Sequence, residues 1–105
     1  MARSPVTKTI MMLEEFRTLD ETMPIQMAHI LMLIADKPGI SLSHLTKLTG
    51  LGKSSVARHV AALSKQFGKG LVDYSEDPMD RRNKVATLTP QGERFVRKIA
   101  HLVEG

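Results

Sequence analysis

The stretch SLSHLTKLTGLGKSSVARHVAAL, residues 41–63, divides into two amphipathic segments joined by a turn that contains glycine. Ser41 is a good N-cap for the first segment, in which leucine recurs at every third position until Gly50 ends it. In the second segment, apolar residues recur at helical spacing, which predicts a longer helix from residue 53 to about residue 67. A short helix, a tight turn and a longer helix are typical of a helix-turn-helix, which we predict over residues 41–67.

The apolar stripe of the longer helix determines which of its side chains face away from the core. Val56, Val60 and Leu63 form this stripe, so Ser54 and Arg58 are expected to face outward. The residues at the flanks of the outward face are Ser55, His59 and Ala62. Hydroxyl, guanidinium and imidazole groups can hydrogen-bond to a polar partner, so this face is a candidate for function.

A hairpin is predicted directly after the helix-turn-helix, at residues 71–89. LVDYS reads as a strand, EDPMDRRN at residues 76–83 as a turn, and KVATLT as a returning strand. The two arginines, Arg81 and Arg82, would then lie at the tip of the hairpin, just after an acidic residue. A hairpin in this position makes the domain a winged helix-turn-helix.

Three more helices complete the predicted domain. Ser4-Pro5 is a helix start, Pro24 opens a second helix that is apolar nearly all round, and Thr89-Pro90 caps a last helix. The predicted segments are an N-terminal helical region at 1–22, the helix-turn-helix at 41–67, the wing at 71–89 and a C-terminal helix at 90–104. We therefore predict a single domain, residues 1–105, that is mainly α with a small β-hairpin wing.

The composition excludes several classes of protein. The chain has 105 residues, of which 42% are apolar and 25% charged, as in an ordinary globular domain. Because it has no cysteine, disulfides, thiolate metal sites and cysteine redox sensing are excluded. We expect no signal peptide and no membrane span, since the longest apolar stretch, residues 25–35, is too short to cross a bilayer. The expected location is the cytoplasm.

The charge is unevenly distributed along the chain. The net charge is +4, but residues 41–70 contain five basic residues and no acidic one. Acidic residues instead crowd the N-terminal helix, at Glu14, Glu15, Asp20 and Glu21. This pattern predicts a polyanionic partner on one face, against the alternative of a basic surface kept only for solubility.

These segments resemble the MarR family of bacterial winged-helix transcriptional regulators, from about Met23 to Val96. Residues 39–63 resemble its helix-turn-helix, and GLVDY resembles its first wing strand. DPMDRRNKVATLTPQG, residues 77–92, is similar to its wing signature, an Asp-x-Arg followed by a strand and Leu-Thr-x-x-Gly. The sequence differs in having a longer connection, SKQFGKG, and in ending at Gly105, so a short, C-terminally truncated member is expected.

The resemblance implies that the second helix of the helix-turn-helix lies in the major groove of double-stranded DNA. There Arg58 would read a guanine or hold a phosphate. The other implied DNA-binding residues of this helix are Lys53, Ser54, Ser55 and His59. Lys53 and the two serines are expected to contact phosphates, because they lie near the start of the helix.

The resemblance also implies that the wing reaches the adjacent minor groove. Arg82 would be inserted there, because the negative potential of a narrow, A·T-rich groove favours arginine. Asp80 would orient the guanidinium of Arg82, while Arg81 and Lys84 would hold backbone phosphates. Without the resemblance, the same residues read as a solvated charged turn.

The function implied is a sequence-specific transcriptional regulator, a repressor, that binds a palindromic operator as a homodimer. Its dimer faces are expected on the first and last helices, at Ile10, Leu13, Phe16, Phe95, Ile99, Leu102 and Val103. Small-molecule effectors bind in the family between the dimerising and DNA-binding parts, which allows such a ligand here. Two alternatives remain: an accessory or control protein of phage or plasmid type, and a winged-helix module that binds a protein through its acidic first helix.

No residue pattern indicates catalysis, a metal or a cofactor. GLGKS at residues 50–54 has the wrong glycine spacing for a phosphate-binding loop and follows a helix rather than a strand. The four histidines, at positions 29, 44, 59 and 101, are not paired at the spacing of metal ligands. We expect His29, in the most apolar helix, to be hydrogen-bonded or at an interface.

Overall fold

The computed structural model describes residues 3–105, so the first two residues of the predicted segment 1–22 lie outside it. The helices are α1 (Pro5–Leu19), α2 (Ile25–Asp36), α3 (Leu42–Thr49), α4 (Lys53–Leu63) and α5 (Pro90–Glu104). The strands are β1 (Ile40–Ser41), β2 (Val72–Asp77) and β3 (Asp80–Leu88). This order confirms the predicted fold class, mainly α with a small β wing that follows a helix-turn-helix.

Three helices begin at the hydroxyl residues that the sequence marks as N-caps. The side chains of Ser4, Ser41 and Thr89 each accept a hydrogen bond from the backbone N–H three residues later, at 3.0–3.1 Å. Each such cap stabilises its helix by about 1 kcal/mol. At the other end of α3, Gly50 adopts the left-handed conformation, with φ of 74°, that glycine allows without strain.

The core is centred on α2, as predicted from its nearly continuous apolar character. Ile30, Leu31 and Ile34 are fully buried, and α2 packs mainly against α4, α3 and β3. The buried side chains that α3 and α4 contribute are Leu45, Val56, Val60 and Leu63. This core holds α4 by the stripe that the sequence predicted, so the opposite side of α4 faces solvent.

The wing belongs to a three-stranded antiparallel sheet with the order β1–β3–β2, rather than to a simple hairpin. β1, which the sequence did not predict, pairs Ile40 with Ala86 and Ser41 with Val85. Because it has only two residues, it shows no alternation of apolar and polar positions. Its effect is to attach the start of α3 to the base of the wing.

The predicted turn at residues 76–83 is wrong, because both wing strands extend much further. β2 continues to Asp77 and β3 begins at Asp80, so only Pro78 and Met79 form the turn. Arg81 and Arg82 therefore lie within β3 and not at the tip. The sheet pairs Glu76 with Lys84 and Asp77 with Asp80, so residues 81–83 form a bulge with no partner in β2.

The helix predicted from 53 to about 67 ends earlier, at Leu63. Ser64 starts a compact loop in which its hydroxyl donates to the Ala61 carbonyl, at 2.8 Å, and accepts from the Phe67 backbone N–H, at 3.1 Å. Gly68 then lies so close to the Ala62 carbonyl that any Cβ would overlap it. These local bonds, which compete with helical ones, end α4 before the FGKG breaker is reached.

α1 packs against α5 within the chain, which corrects the expected dimer faces. The rings of Phe16 and Phe95 meet edge to face, with centroids 5.3 Å apart and an interplanar angle of 63°. Phe16, Phe95 and Ile99 are buried within the chain, so they are not on the surface that a second subunit would meet. The apolar side chains of α1 and α5 that stay exposed are Val6, Ile10, Leu13 and Val103.

Candidate nucleic-acid interface

The outward face of α4 carries the predicted polar side chains. Ser54 and Arg58 are exposed, whereas Ser55 and His59 are half-buried at the flanks, as the apolar stripe predicts. Burial of the His59 ring, followed by the positive charge of Arg58, lowers the pKa of His59 below its usual 6.5. The lowered pKa favours the neutral form of His59, which presents one donor and one acceptor.

The N-terminus of α4 has free backbone donors. Gly52 is the N-cap and supplies no side-chain hydrogen bond, while the first intrahelical bond runs from the Val56 N–H to the Gly52 carbonyl, at 3.0 Å. The backbone N–H groups of residues 53–55 precede this bond, at the positive end of the helix dipole. Together with the exposed Lys53 side chain, they make this end of α4 attractive to an anion.

The bulge in the wing presents its arginines to solvent. The Arg82 side chain is 93% exposed, yet Asp80 holds it at both ends of its stem. The Asp80 carboxylate accepts hydrogen bonds from the Arg82 backbone N–H, at 3.0 Å, and from its Nε, at 3.4 Å. Arg81 is also exposed, and the Lys84 ammonium lies 5.3 Å from the centroid of the Tyr74 ring. The wing thus displays three cations, of which two have an identified orienting neighbour.

The two long strands of the wing differ in charge. β2 carries the acidic residues Asp73, Glu76 and Asp77, whereas the cations all belong to β3. Arg82 and Lys84 line a groove beside α3 together with Asp80, whereas β2 with its three carboxylates is the outer edge strand. The wing is therefore electrostatically one-sided.

A groove of about 510 Å³ separates the helix-turn-helix from the wing and joins the two groups of predicted residues. Its lining residues are Leu42, Ser43, Thr46, Lys53, Ala57, Asp80, Arg82, Asn83 and Lys84. The Ser43 hydroxyl and the Asn83 side-chain oxygen are 3.3 Å apart across it. Sequence reasoning missed Ser43, Thr46 and Asn83, because neutral side chains at these positions follow no periodic pattern and meet only through the fold.

A second groove, of about 610 Å³, lies between α1 and α2. It is mainly apolar, with Met12, Leu13 and Met32 among its lining residues and with Arg17, Gln26 and His29 at its polar positions. His29 is exposed and makes no hydrogen bond to any other described residue, so of the two expected roles, hydrogen-bonded or at an interface, only the second stays a prediction. Its imidazole is available to a molecule in the groove.

Residues 3–105 contain neither a cluster of metal-ligating side chains nor a membrane-spanning helix. No group of three or more His, Asp or Glu side chains in this range is arranged to hold a metal ion. No helix in it is long and apolar enough to cross a membrane.

Residues 22–83 match the model of the MarR family, which is more than half of the chain. The chain belongs to the MarR family. The match covers the helix-turn-helix and the first part of the wing, so it confirms the resemblance seen in the sequence. A curated relative is the transcriptional regulator HosA of Escherichia coli O111:H-, 33% identical over 67 residues. This alignment covers 64% of the chain and 47% of HosA, so the chain spans about half the length of that relative.

Solved structures share the fold. RV1404 of Mycobacterium tuberculosis superposes with a TM-score of 0.74 at 24% identity, covering 94% of this chain and 65% of that one. BpsR of Bordetella bronchiseptica, described for the regulation of its DNA binding by 6-hydroxynicotinic acid, superposes with a TM-score of 0.65 at 24% identity. The superposition covers 94% of this chain and 70% of the BpsR chain. These matches show that the chain shares its fold with both proteins.

Proposed function

We propose that this protein is a transcriptional regulator that binds double-stranded DNA, with α4 in the major groove and the wing in the adjacent minor groove. The observation that carries the proposal is the groove between them. It brings Lys53 of α4 and Arg82 of β3 to one surface, although they are distant in sequence. Membership of the MarR family and the name of HosA support the same function. The proposal includes a cytoplasmic location, where the protein would have access to DNA.

α4 has the diameter and the exposed polar side chains that binding in a major groove requires. A helix with its side chains is about 10–12 Å across and fits a groove about 12 Å wide. Arg58 is exposed on that face, where its guanidinium can bond two acceptors of guanine. Ser54, Ser55 and Lys53 lie in the first turn and would contact phosphates together with the free backbone N–H groups. His59, neutral at the flank, would add a donor or an acceptor.

The wing has the side chains that a minor groove favours. Arg82 projects almost fully into solvent while the Asp80 carboxylate restrains its stem. Restraint before binding lowers the entropy that the arginine loses in the groove. Arg81 and Lys84 would flank this insertion by contacting phosphates. The acidic outer edge at β2 supports approach to DNA from the β3 side alone.

The repressor would act as a homodimer, with residues 1–105 forming one domain per subunit. Support comes from the exposed apolar side chains of α1, Ile10 and Leu13, which a second subunit could cover. Two copies of α4, related by a twofold axis, would read a palindrome with half-sites about one helical turn apart. Bound there, the dimer would exclude other proteins from the DNA.

A small-molecule effector is the second function we propose, and the apolar groove between α1 and α2 favours it. Its volume suits a small ring, and Arg17, Gln26 and His29 offer polar contacts. The regulation of BpsR by 6-hydroxynicotinic acid supports a search among aromatic acids. Titration of the purified protein with such acids, followed calorimetrically, should reveal binding that His29→Ala weakens.

The decisive experiment for DNA binding is selection of a random duplex pool by the purified protein, followed by sequencing. An enriched palindrome supports the homodimeric regulator and gives the half-site spacing. A single enriched half-site would favour the accessory or phage and plasmid type of control protein. If no duplex is enriched or bound at low salt, the DNA-binding proposal fails and a protein partner takes its place.

A further inference from the structure

The groove between α3, α4 and the wing is lined by residues of all three elements. Ser43 comes from α3, Lys53 from α4, and Asn83 and Lys84 from β3. We propose that this groove is a binding site for one backbone phosphate of the DNA, with Asn83 as the direct ligand and Ser43 as the residue that holds the Asn83 side chain in place. The proposal rests on the proposed function and assigns residues that it does not use.

The geometry of DNA requires a phosphate at this place. A major groove and the minor groove next to it are separated by a single sugar-phosphate strand. If α4 occupies the first and the wing the second, that strand must cross the surface between them. The surface between them is this groove. The chain therefore has to accommodate phosphates here, and unmatched donors in the groove would be their ligands.

Neutral donors are present at the right point. The Asn83 side-chain oxygen lies 3.3 Å from the Ser43 hydroxyl, which donates to it. This contact directs the Asn83 amide nitrogen away from Ser43, and that nitrogen makes no hydrogen bond to another described residue. Two N–H donors are thus free at the groove wall. Bonds from neutral donors and from backbone amides make up a large part of the contacts that fix a protein on DNA.

The bulge in β3 explains why Asn83 reaches the groove. Residues 81–83 have no partner in β2, so this part of β3 is not committed to the hairpin. Bulges redirect side chains in this way. The contact with Ser43, forty positions earlier in the sequence, joins the wing to the first turn of α3. The same contact would hold Asn83, the ligand of the phosphate, in place before binding.

The charge of the groove suits an anion. Lys53, Arg82 and Lys84 contribute three positive charges and Asp80 one negative charge, which leaves a net charge of +2. The carboxylate is already hydrogen-bonded to Arg82, so it opposes an incoming phosphate less than a free one would. A phosphate with one negative charge is thus attracted into the groove and meets donors there.

The test uses the full-length protein and the duplex enriched from the random pool, or an A·T-rich duplex of 20 base pairs if none is enriched. Asn83→Ala and Ser43→Ala should each weaken binding by about fivefold to tenfold, equally on all duplexes. The slope of affinity against salt should stay unchanged, because no charge is removed. Ser75→Ala, a matched change of an exposed hydroxyl on β2, should bind like wild type. Thermal unfolding of each variant verifies that it is folded.

A second measurement identifies the phosphate itself. Neutral methylphosphonates are placed at one position of the duplex at a time, and the loss of affinity is measured for wild type and for Asn83→Ala. One position per half-site should weaken wild type but hardly affect the variant. The phosphate site is overturned if the losses of affinity from methylphosphonate and from Asn83→Ala are additive at every position. It is also overturned if both alanine variants bind DNA with the affinity of wild type. In either case the proposed function as a regulator is unaffected. If wild type binds no DNA, both proposals fail.

Discussion

The Asp80 carboxylate restrains Arg82 by bonding both its backbone N–H and its Nε, while leaving the rest of the guanidinium in solvent. An acidic residue beside a DNA-binding arginine is unfavourable for attraction to phosphate. It is favourable for orientation, because it fixes a long side chain at both ends of its stem and leaves the terminal guanidinium donors free. The two effects can be separated by mutation.

We expect Arg82→Ala to weaken DNA binding by about tenfold at sites with A·T-rich flanks, and less at G·C-rich flanks. Asp80→Ala removes a negative charge, which favours attraction to DNA in general. It should nevertheless reduce the preference for A·T flanks, because Arg82 is no longer restrained. The double variant should show the same preference as Arg82→Ala, because Asp80 acts through the arginine. Titration of labelled duplexes with both kinds of flank measures these values. Independent, additive effects of the two substitutions on flank preference would contradict the restraint.

Arg58→Ala should relax the preference for one base pair in each half-site, at a cost of about 1–3 kcal/mol in discrimination. The guanidinium is exposed on the outward face of α4, where a bidentate contact to guanine is possible. Repeating the selection with the variant would locate that base pair. Arg94→Ala removes the same charge from α5 and serves as the control. If Arg58→Ala and the control select the same sequences, Arg58 reads no base.

The two sides of α1 should respond differently to substitution. Phe16→Ala leaves a cavity beside Phe95 and should lower the free energy of unfolding by about 3–5 kcal/mol, measured with urea. Ile10→Asp, on the exposed side, should leave the monomer about as stable as before, within about 0.5 kcal/mol. It should instead convert the proposed dimer into a monomer in sedimentation experiments. A dimer that survives Ile10→Asp and Leu13→Asp together would place the interface elsewhere.

Stability should fall as the pH falls through 6.5, because of His59. Burial and the Arg58 charge keep its folded pKa below 6.5, the value of the unfolded chain. The unfolded chain therefore takes up a proton first, and the free energy of unfolding decreases until the pH passes below the folded pKa. Urea unfolding at about pH 7.5 and about pH 5 would show the loss, and His59→Gln should make it smaller. An identical pH dependence in this variant would exclude His59 as a source.

The sequence predicted the parts of the fold that bury a repeating apolar face. The stripe of α4 and the caps at Ser4, Ser41 and Thr89 were visible because local chemistry decides them. The path of Asp80 and Arg82 was not visible, since the outer wing has no buried side and its polar residues read as a turn. In the same way, the helical spacing of Phe16 with the other apolar residues of α1 showed that it faces apolar partners. It did not show that these partners belong to α5 of the same chain.

The candidate site was predictable where one helix displays it and hidden where elements meet. Arg58 and Ser54 follow from the position of the apolar stripe on α4. Ser43 and Asn83 meet only because β1 brings α3 beside β3 and a bulge turns Asn83 toward it. Neither the two-residue strand nor the bulge has a periodic signature, so the groove could be found only from the folded chain.

The acidic outer strand of the wing also has a consequence for how molecules of this protein behave toward each other. β2 is an edge strand, and only Val72, at its start, is bridged on the outer side, to Ser64. The outer backbone groups of the rest of β2 could pair with the sheet of another molecule. Glu76 and Asp77 place like charges along the outer part of that edge, so two such edges repel each other, while Asp73 is paired with Lys65 at 3.2 Å. The wing can therefore extend far from the core without becoming a template for edge-to-edge aggregation.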